Sequence, residues 1–159
     1  MAAILETDSV TKKFGGFTAV DNVTLKVDPG EIRFIIGPNG AGKSTFFKLV
    51  IGYHSPNSGT ILYKGQNVEK LKLHERINLG MGVKFQAPSV FSELTVLENL
   101  SLANNREESL NINDLLNDFA LENDKNNLAG DLSHGKKQWL DIALSTISKP
   151  DLVFLDEPT

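Results

Sequence analysis

The sequence predicts an α/β fold in which a mixed or parallel sheet follows an antiparallel β region and is interrupted by a helical segment. Residues 4–36 are rich in β-branched residues and include the strong turn signal Asp28-Pro29-Gly30. Residues 87–131 are instead dominated by Asn, Asp, Glu and Leu, which favours short helices and polar loops. An apolar run at residues 152–155 then restores the pattern of a buried strand.

The composition is that of an ordinary globular chain. Its 159 residues are 40% hydrophobic and 23% charged, which is enough for one domain with its own core. The formal net charge is −4 and no block of basic residues occurs, which argues against a nucleic-acid partner. The sequence contains no cysteine, so disulfides and Cys-metal sites are excluded. No signal-peptide pattern or apolar run of about 20 residues is present, so any work at a membrane would require a partner.

A glycine-rich segment, residues 37–45, fits the phosphate-binding pattern G-x-x-x-x-G-K-[ST]. The apolar residues 31–36 before it predict a buried strand, and residues 46–51 after it predict a helix. Glycines allow successive N–H groups to face one phosphate, and the helix start adds a positive dipole end. Lys43 is expected to reach the β- and γ-phosphates of a nucleotide, and the Ser44 hydroxyl to hold Mg²⁺. The candidate binding residues are Gly37, Pro38, Asn39, Gly40, Ala41, Gly42, Lys43, Ser44 and Thr45.

Phe14 lies beside two glycines, between two predicted strands that precede the phosphate-binding segment. Its ring can anchor a loop on the core, or it can form a flat platform on which an adenine ring stacks. The residues alone leave both interpretations open.

The remaining elements are predicted from turn signals, caps and apolar periodicity. Thr95 and Glu98 form a capping box, and Ser133 is placed to N-cap a helix. Predicted strands cover 60–63, 81–85 and 152–155, and predicted helices cover 71–79, 96–103, 113–120 and 134–149. We interpret 1–159 as one domain in which an α/β core, 1–86 and 132–159, carries a small helical subdomain, 87–131.

A second group of candidate residues follows the later strands. Asp156 comes directly after an apolar strand and is expected to hold Mg²⁺, and Glu157 is placed to polarise the attacking water as general base. Gln86 is either an ordinary loop amide or a ligand of Mg²⁺ that responds to the γ-phosphate. Ser133 and Gly135, at a helix start, form a potential anion site, although an ordinary helix start is the simpler interpretation.

In combination these motifs resemble those of an ATP-binding cassette (ABC) ATPase. Residues 37–45, Gln86, 132–136 and 152–159 stand in the order, and close to the spacing, of that family's Walker A, Q-loop, signature and Walker B motifs. The resemblance covers essentially the whole chain and implies a P-loop NTPase core.

Within that family, several stretches look like the import ATPases for branched-chain amino acids and for urea or short amides. These stretches are 14–23, 93–100 and 132–140. His134 where most cassettes have glycine, Trp139 after Gln138, and the run Lys84-Phe85-Gln86 look most like the urea-importer subtype.

The resemblance assigns roles and partners. Phe14 would stack on adenine, Gln86 would link the Mg²⁺ site to the subdomain that touches the permease, and Ser133 and Gly135 would bind the γ-phosphate held by a second ATP-binding subunit. The two ATP-binding subunits, which would be identical or different, would meet head to tail. They would bind transmembrane permease subunits at the cytoplasmic face of the cell membrane. The implied activity is hydrolysis of ATP, with Mg²⁺, to power solute import. The alternatives are a soluble ABC ATPase unconnected with transport and a nucleotide-binding chain without normal turnover.

Two features depart from the family pattern. Lys136 stands where the signature motif usually ends in Gln. The sequence also stops at Thr159, directly after Walker B, whereas members of the family continue through a D-loop and a strand that carries a switch histidine. We therefore expect a truncated cassette whose Walker A and Walker B strands cannot pair in the normal sheet. Expressed alone, it is expected to be poorly stable and to lack normal ATPase turnover.

Overall fold

A computed structural model describes residues 2–86, 89–104 and 110–156. The chain divides into two compact units, Met1–Leu79 and Gly80–Thr159, and each contains one sheet. Within the described residues, no helix has the length and apolar character required to cross a bilayer.

The first unit is built on a four-stranded antiparallel sheet with the strand order β2-β1-β3-β4. Its strands are β1 (Leu5–Phe14), β2 (Phe17–Val27), β3 (Ser58–Tyr63) and β4 (Gln66–Asn67), and its helices are α1 (Lys43–Val50) and α2 (Leu73–Asn78). The β-branched residues of β1 and β3 place Val10 and Ile61 in the core, where Leu49 of α1 is also buried. The predicted antiparallel N-terminal region is confirmed.

The predicted buried strand at residues 31–36 is wrong. This segment forms no strand, and Ile32, Phe34 and Ile36 are 83%, 81% and 89% exposed. No described strand pairs with it, and Ile36 lines a cavity of about 430 Å³ against β2. An apolar segment becomes a strand only where a neighbouring strand receives its N–H and C=O groups. The apolar side chains of residues 31–36 are therefore exposed to solvent rather than buried in a sheet.

The second unit combines a two-stranded parallel sheet with a helical core. Its elements are β5 (Met81–Lys84), α3 (Val96–Ala103), α4 (Ile112–Asp118), α5 (His134–Thr146) and β6 (Leu152–Leu155), with 3₁₀ turns at Glu122–Asp124 and Ala129–Asp131. The strands pair in register from Met81 with Leu152 to Lys84 with Leu155. The buried core of this unit is formed by Val96, Leu100, Leu115, Leu116, Leu121, Ala129, Leu132, Leu140, Ala143 and Ile147.

The predicted helix caps of this unit are confirmed. The Thr95 hydroxyl accepts a hydrogen bond from the Glu98 N–H at 3.1 Å, and the Glu98 carboxylate accepts one from the Thr95 N–H at 2.8 Å. These bonds from Thr95 lower the pKa of Glu98. The predicted end of α5 and the predicted burial of β6 were less accurate. Helix α5 ends at Thr146 rather than near residue 149, and β6 is half-buried rather than buried.

Candidate nucleotide site

The phosphate-binding segment packs closely against the sheet of the first unit. Gly42, the residue before α1, has the left-handed conformation φ 84° and ψ 4°, and Gly40 has φ 83°. A Cβ atom at Gly42 would lie 2.1 Å from the carbonyl oxygen of Ala19 on β2. Position 42 therefore requires glycine both for its backbone angle and for its contact with β2.

Lys43, the first residue of α1, folds back over the segment that precedes it. Its ammonium nitrogen Nζ donates hydrogen bonds to the carbonyl oxygens of Gly37 at 2.7 Å and Pro38 at 2.9 Å. No carboxylate among the described residues pairs with this ammonium group. The exposed Ser44 lies in the same first turn of α1. A positive charge and a hydroxyl therefore stand beside the positive end of the helix dipole.

Arg76 supports the opposite end of α1 and was missed by sequence reasoning. Its fully buried guanidinium donates to the carbonyl oxygens of Leu49 at 2.9 Å and Val50 at 2.5 Å, in the last turn of α1. It also donates to the carbonyl oxygens of Leu71 at 3.0 Å and Glu69 at 3.3 Å. Burial lowers the pKa of Arg76 to about 10, partly opposed by the Glu69 carboxylate. No local sequence pattern distinguishes this arginine from a surface one.

Phe14 lies at the end of β1, and its ring is 44% exposed rather than packed in the core. The ring of His54 meets it edge-on, with centroids 5.5 Å apart, and Lys12 Nζ lies 5.2 Å from its centroid. The ring of Tyr53 also meets the His54 ring edge-on, with centroids 5.1 Å apart. Burial, and then the charges of Lys12 and Lys48, lower the pKa of His54. Sequence reasoning assigned nothing to this histidine, because Phe14 and Lys12, two of the residues around it, come from distant β1.

Gln86 and Asp156 follow the two parallel strands of the second unit. Asp156 comes directly after β6, and its N–H donates to the carbonyl oxygen of Lys84 at 3.1 Å. Gln86 comes two residues after β5 and is exposed. Because the strands are parallel and in register, both residues lie at the same carboxyl edge of the sheet. Glu157, the predicted general base, lies outside the described residues.

Ser133 and Gly135 stand at the N-terminal end of α5, as predicted. The Ser133 hydroxyl accepts a hydrogen bond from the Lys136 N–H at 3.4 Å, and among the described residues no atom outside the helix's own neighbouring backbone lies within 4 Å of a Cβ built on Gly135. The Lys136 ammonium pairs with Asp124 Oδ2 at 2.5 Å. The positive charge of Lys136, the residue that departs from the family pattern, is therefore paired with a carboxylate of the same unit.

The candidate residues form two groups. Phe14 and residues 37–45 belong to the first unit, whereas Gln86, Ser133, Gly135 and Asp156 belong to the second.

Comparison with known proteins decides the family. The model of the family described as "ABC transporter" matches residues 20–159. The chain belongs to the ATP-binding domain family of ABC transporters. This family of ATP-binding domains is the one that the sequence motifs indicated.

Three curated relatives illustrate the range of the family. The chain is 35% identical to the spermidine/putrescine import ATP-binding protein PotA of Nitrosospira multiformis, over 98% of this chain and 44% of that protein. It is 38% identical to the probable multidrug ABC transporter ATP-binding protein YbhF of Escherichia coli, over 98% of this chain and 28% of that protein. It is 34% identical to the high-affinity branched-chain amino acid transport ATP-binding protein BraF of Pseudomonas aeruginosa, over 98% of this chain and 69% of that protein. The chain therefore spans less than half the length of two of these relatives.

A solved structure supports the fold assignment. A nucleotide-free ATP-binding cassette from an ABC transporter matches with a TM-score of 0.85 and 27% identity, over 99% of this chain and 70% of that chain. The predicted α/β class, with an antiparallel N-terminal sheet and a parallel sheet, is confirmed.

Proposed function

We propose that the chain binds ATP with Mg²⁺ at residues 37–45 and contributes one face of the site that hydrolyses it to power an ABC importer. The observation that carries this proposal is the phosphate-binding segment itself. Gly42 is held against β2, and the Lys43 ammonium is held by two carbonyl oxygens, which are weaker partners than phosphate oxygens. Phosphate oxygens can therefore replace those carbonyls without moving the helix start.

The proposed metal ligands suit Mg²⁺. Ser44, Gln86 and Asp156 offer hydroxyl, amide and carboxylate oxygens, and Mg²⁺ commonly uses one or two protein oxygens together with substrate phosphates. Bound there, Mg²⁺ would neutralise charge that develops on the β- and γ-phosphates. Glu157 is proposed as the general base for the attacking water. The exposed face of Phe14 is proposed to stack on the adenine ring.

The second face of the site is proposed to come from another ATP-binding subunit, identical or different, arranged head to tail. The N-terminal end of α5, with the Ser133 hydroxyl and the open backbone of Gly135, has the donors that a γ-phosphate requires. ATP would close this dimer and hydrolysis would open it, and attached permease subunits at the cytoplasmic face of the membrane would alternate their access.

The transported solute is proposed to be a branched-chain amino acid, or urea or a short amide. The similarity to BraF supports the amino-acid class, and the residues His134 and Trp139 favour the urea subtype. The names of PotA and YbhF indicate other cargoes, so spermidine and putrescine are the comparison solutes. Stimulation of ATP hydrolysis by each solute, in vesicles that contain the permease, distinguishes these classes.

The experiment that tests hydrolysis is the substitution Glu157→Gln in the protein assembled with its permease subunits. We expect ATP still to bind, and hydrolysis to fall at least about 100-fold because the general base is removed. Asp118→Asn, which removes an exposed carboxylate from α4, is the matched control and should leave hydrolysis unchanged. Normal turnover by the Glu157→Gln variant would refute the proposed mechanism.

A further inference from the structure

A buried ion pair links the parallel sheet of the second unit to α5. Lys84, the last residue of β5, is 0% exposed, and Asp141, in the middle of α5, is 2% exposed. Lys84 Nζ lies 3.7 Å from Asp141 Oδ2, and that oxygen accepts no hydrogen bond from any described residue. Removing two charges from water is costly, and an apolar pair of similar size is often as stable. Stability alone is therefore a weak explanation for this pair.

The same two side chains contact the backbone on both sides of Gln86. Lys84 Nζ donates to the carbonyl oxygen of Phe85 at 3.2 Å, directly before Gln86. Asp141 Oδ1 accepts a hydrogen bond from the N–H of Ser89 at 3.1 Å, three residues after Gln86. The pair thus fixes the chain at two points that flank the glutamine.

Packing beside Asp141 and Ser89 is incomplete. A cavity of about 250 Å³ lies beside them and is lined by Val83, Ser89, Asp141 and Leu144, among others. A side chain or backbone next to a cavity lacks the close contacts that would hold it in one position. The hydrogen bond between Ser89 and Asp141, both of which line this cavity, therefore carries more of the positioning here than it would in a filled core.

Asp141 also connects this region to the helix start that carries Ser133. Both residues belong to α5 or its cap, and eight residue-to-residue steps separate them by about 12 Å along the axis. A helix moves as a rigid body over this distance, so a displacement at Asp141 also displaces the Ser133 end.

We propose that the Lys84–Asp141 pair is a positioning device, which holds Gln86 at the carboxyl edge of the sheet and couples its position to Ser133 and Gly135 on α5. This inference rests on the proposed ATPase function, in which Gln86 is a ligand of Mg²⁺. Lys84 and Asp141 themselves touch neither nucleotide nor metal in this proposal and act through Gln86.

The test uses the double variant Lys84→Met with Asp141→Leu, which removes both charges together and avoids an unpaired buried charge. In the protein assembled with its permease subunits, kcat for ATP hydrolysis should fall at least about tenfold, because displacements near 1 Å are costly to catalysis. The KM for ATP should stay within about twofold, because the phosphate-binding segment is untouched. The matched control replaces the surface pair Glu122 and Lys125, whose side chains are 41% and 40% exposed, with glutamines and should leave kcat unchanged.

A Gln86→Ala background separates positioning from a general effect on the fold. If the pair acts through Gln86, removing the pair from the Gln86→Ala variant should lower kcat no further. If the double variant does not fold, Lys84→Gln with Asp141→Asn replaces it, because both charges are again removed together and the amide oxygen at position 141 can still accept from the Ser89 N–H. Its loss of kcat should likewise disappear in the Gln86→Ala background.

Two results would overturn the inference: a folded pair variant with the kcat of the wild type, or losses that add in the Gln86→Ala background. Failure of the proposed function would be visible separately, because the wild-type protein would then not hydrolyse ATP or would not depend on Lys43. That result would precede any comparison of pair variants.

Discussion

The substitution Gly42→Ala tests the geometry of the phosphate-binding segment. It adds a single methyl group at a residue whose φ is +84° and whose Cβ would lie 2.1 Å from the backbone oxygen of Ala19. Gly30 provides a matched control, because its φ is +78° but no atom of the described residues, apart from its chain neighbours, lies within 4 Å of its Cβ position. Both variants carry the backbone strain of a left-handed alanine, and only Gly42→Ala adds the overlap.

The two contributions differ in size. A left-handed alanine costs about 1 kcal/mol relative to glycine, so Gly30→Ala should lower the free energy of unfolding by about that amount. The overlap at Gly42 involves a backbone oxygen within a sheet, so the helix start must move by about 1 Å. Forcing extra volume into a packed site costs about 1–3 kcal/mol more. Gly42→Ala should therefore lower the free energy of unfolding by roughly 2–4 kcal/mol.

Urea unfolding and titration with a fluorescent ATP analogue measure both effects. Gly42→Ala should weaken ATP binding by at least about tenfold, because the N–H groups and Lys43 no longer face one phosphate. Gly30→Ala should leave ATP affinity unchanged, because Gly30 lies outside the segment. Equal destabilisation by the two variants, with equal ATP affinity, would refute the contact with β2 as the reason for glycine at this position.

Two further variants test side chains of the first unit. Arg76→Met should lower the free energy of unfolding by about 3 kcal/mol or more, as measured by urea unfolding. Each lost charge-assisted hydrogen bond contributes about 1.5–3 kcal/mol. Removal of the buried charge restores only part of this stability. His54 has a pKa below its ordinary 6.5, so the unfolded chain binds its proton more readily. The free energy of unfolding should therefore fall as the pH falls below about 6.5, and His54→Phe should reduce that fall when both chains are compared in urea at several pH values.

Each of these predictions has a clear contrary result. A change below about 0.5 kcal/mol for Arg76→Met would show that its four carbonyl contacts, two of them in α1, do not stabilise the fold. Identical pH profiles for the wild type and His54→Phe would show that the environment of His54 does not suppress its protonation.

Local chemistry made much of the fold predictable. The capping box at Thr95 and the N-cap at Ser133 each depend on two residues three positions apart. Both partners therefore stand together in a short stretch of sequence, where the pattern can be recognised. The conformation of Gly42 follows from the phosphate-binding pattern in the same way.

Features that depend on distant partners were not predictable from the residues. The segment 31–36 has the apolar character of a strand, but pairing is a property of a neighbour, and no described strand supplies it. Arg76 finds its carbonyl partners at Leu49 and Val50, and Lys84 finds Asp141, more than fifty positions further along the chain. A single sequence gives no signal for such contacts, because nothing near either residue differs from an ordinary surface or core position.

Equilibrium binding of ATP in the presence of Mg²⁺, compared between Lys43→Ala and Lys48→Ala, tests the central claim most directly. Both substitutions remove a lysine from α1, but only Lys43 lies at the start of the helix, over the carbonyl oxygens of Gly37 and Pro38. We expect Lys43→Ala to weaken ATP binding by at least about tenfold, and Lys48→Ala to leave it nearly unchanged. Equal affinity of the two variants would contradict the assignment of residues 37–45 as the ATP phosphate site.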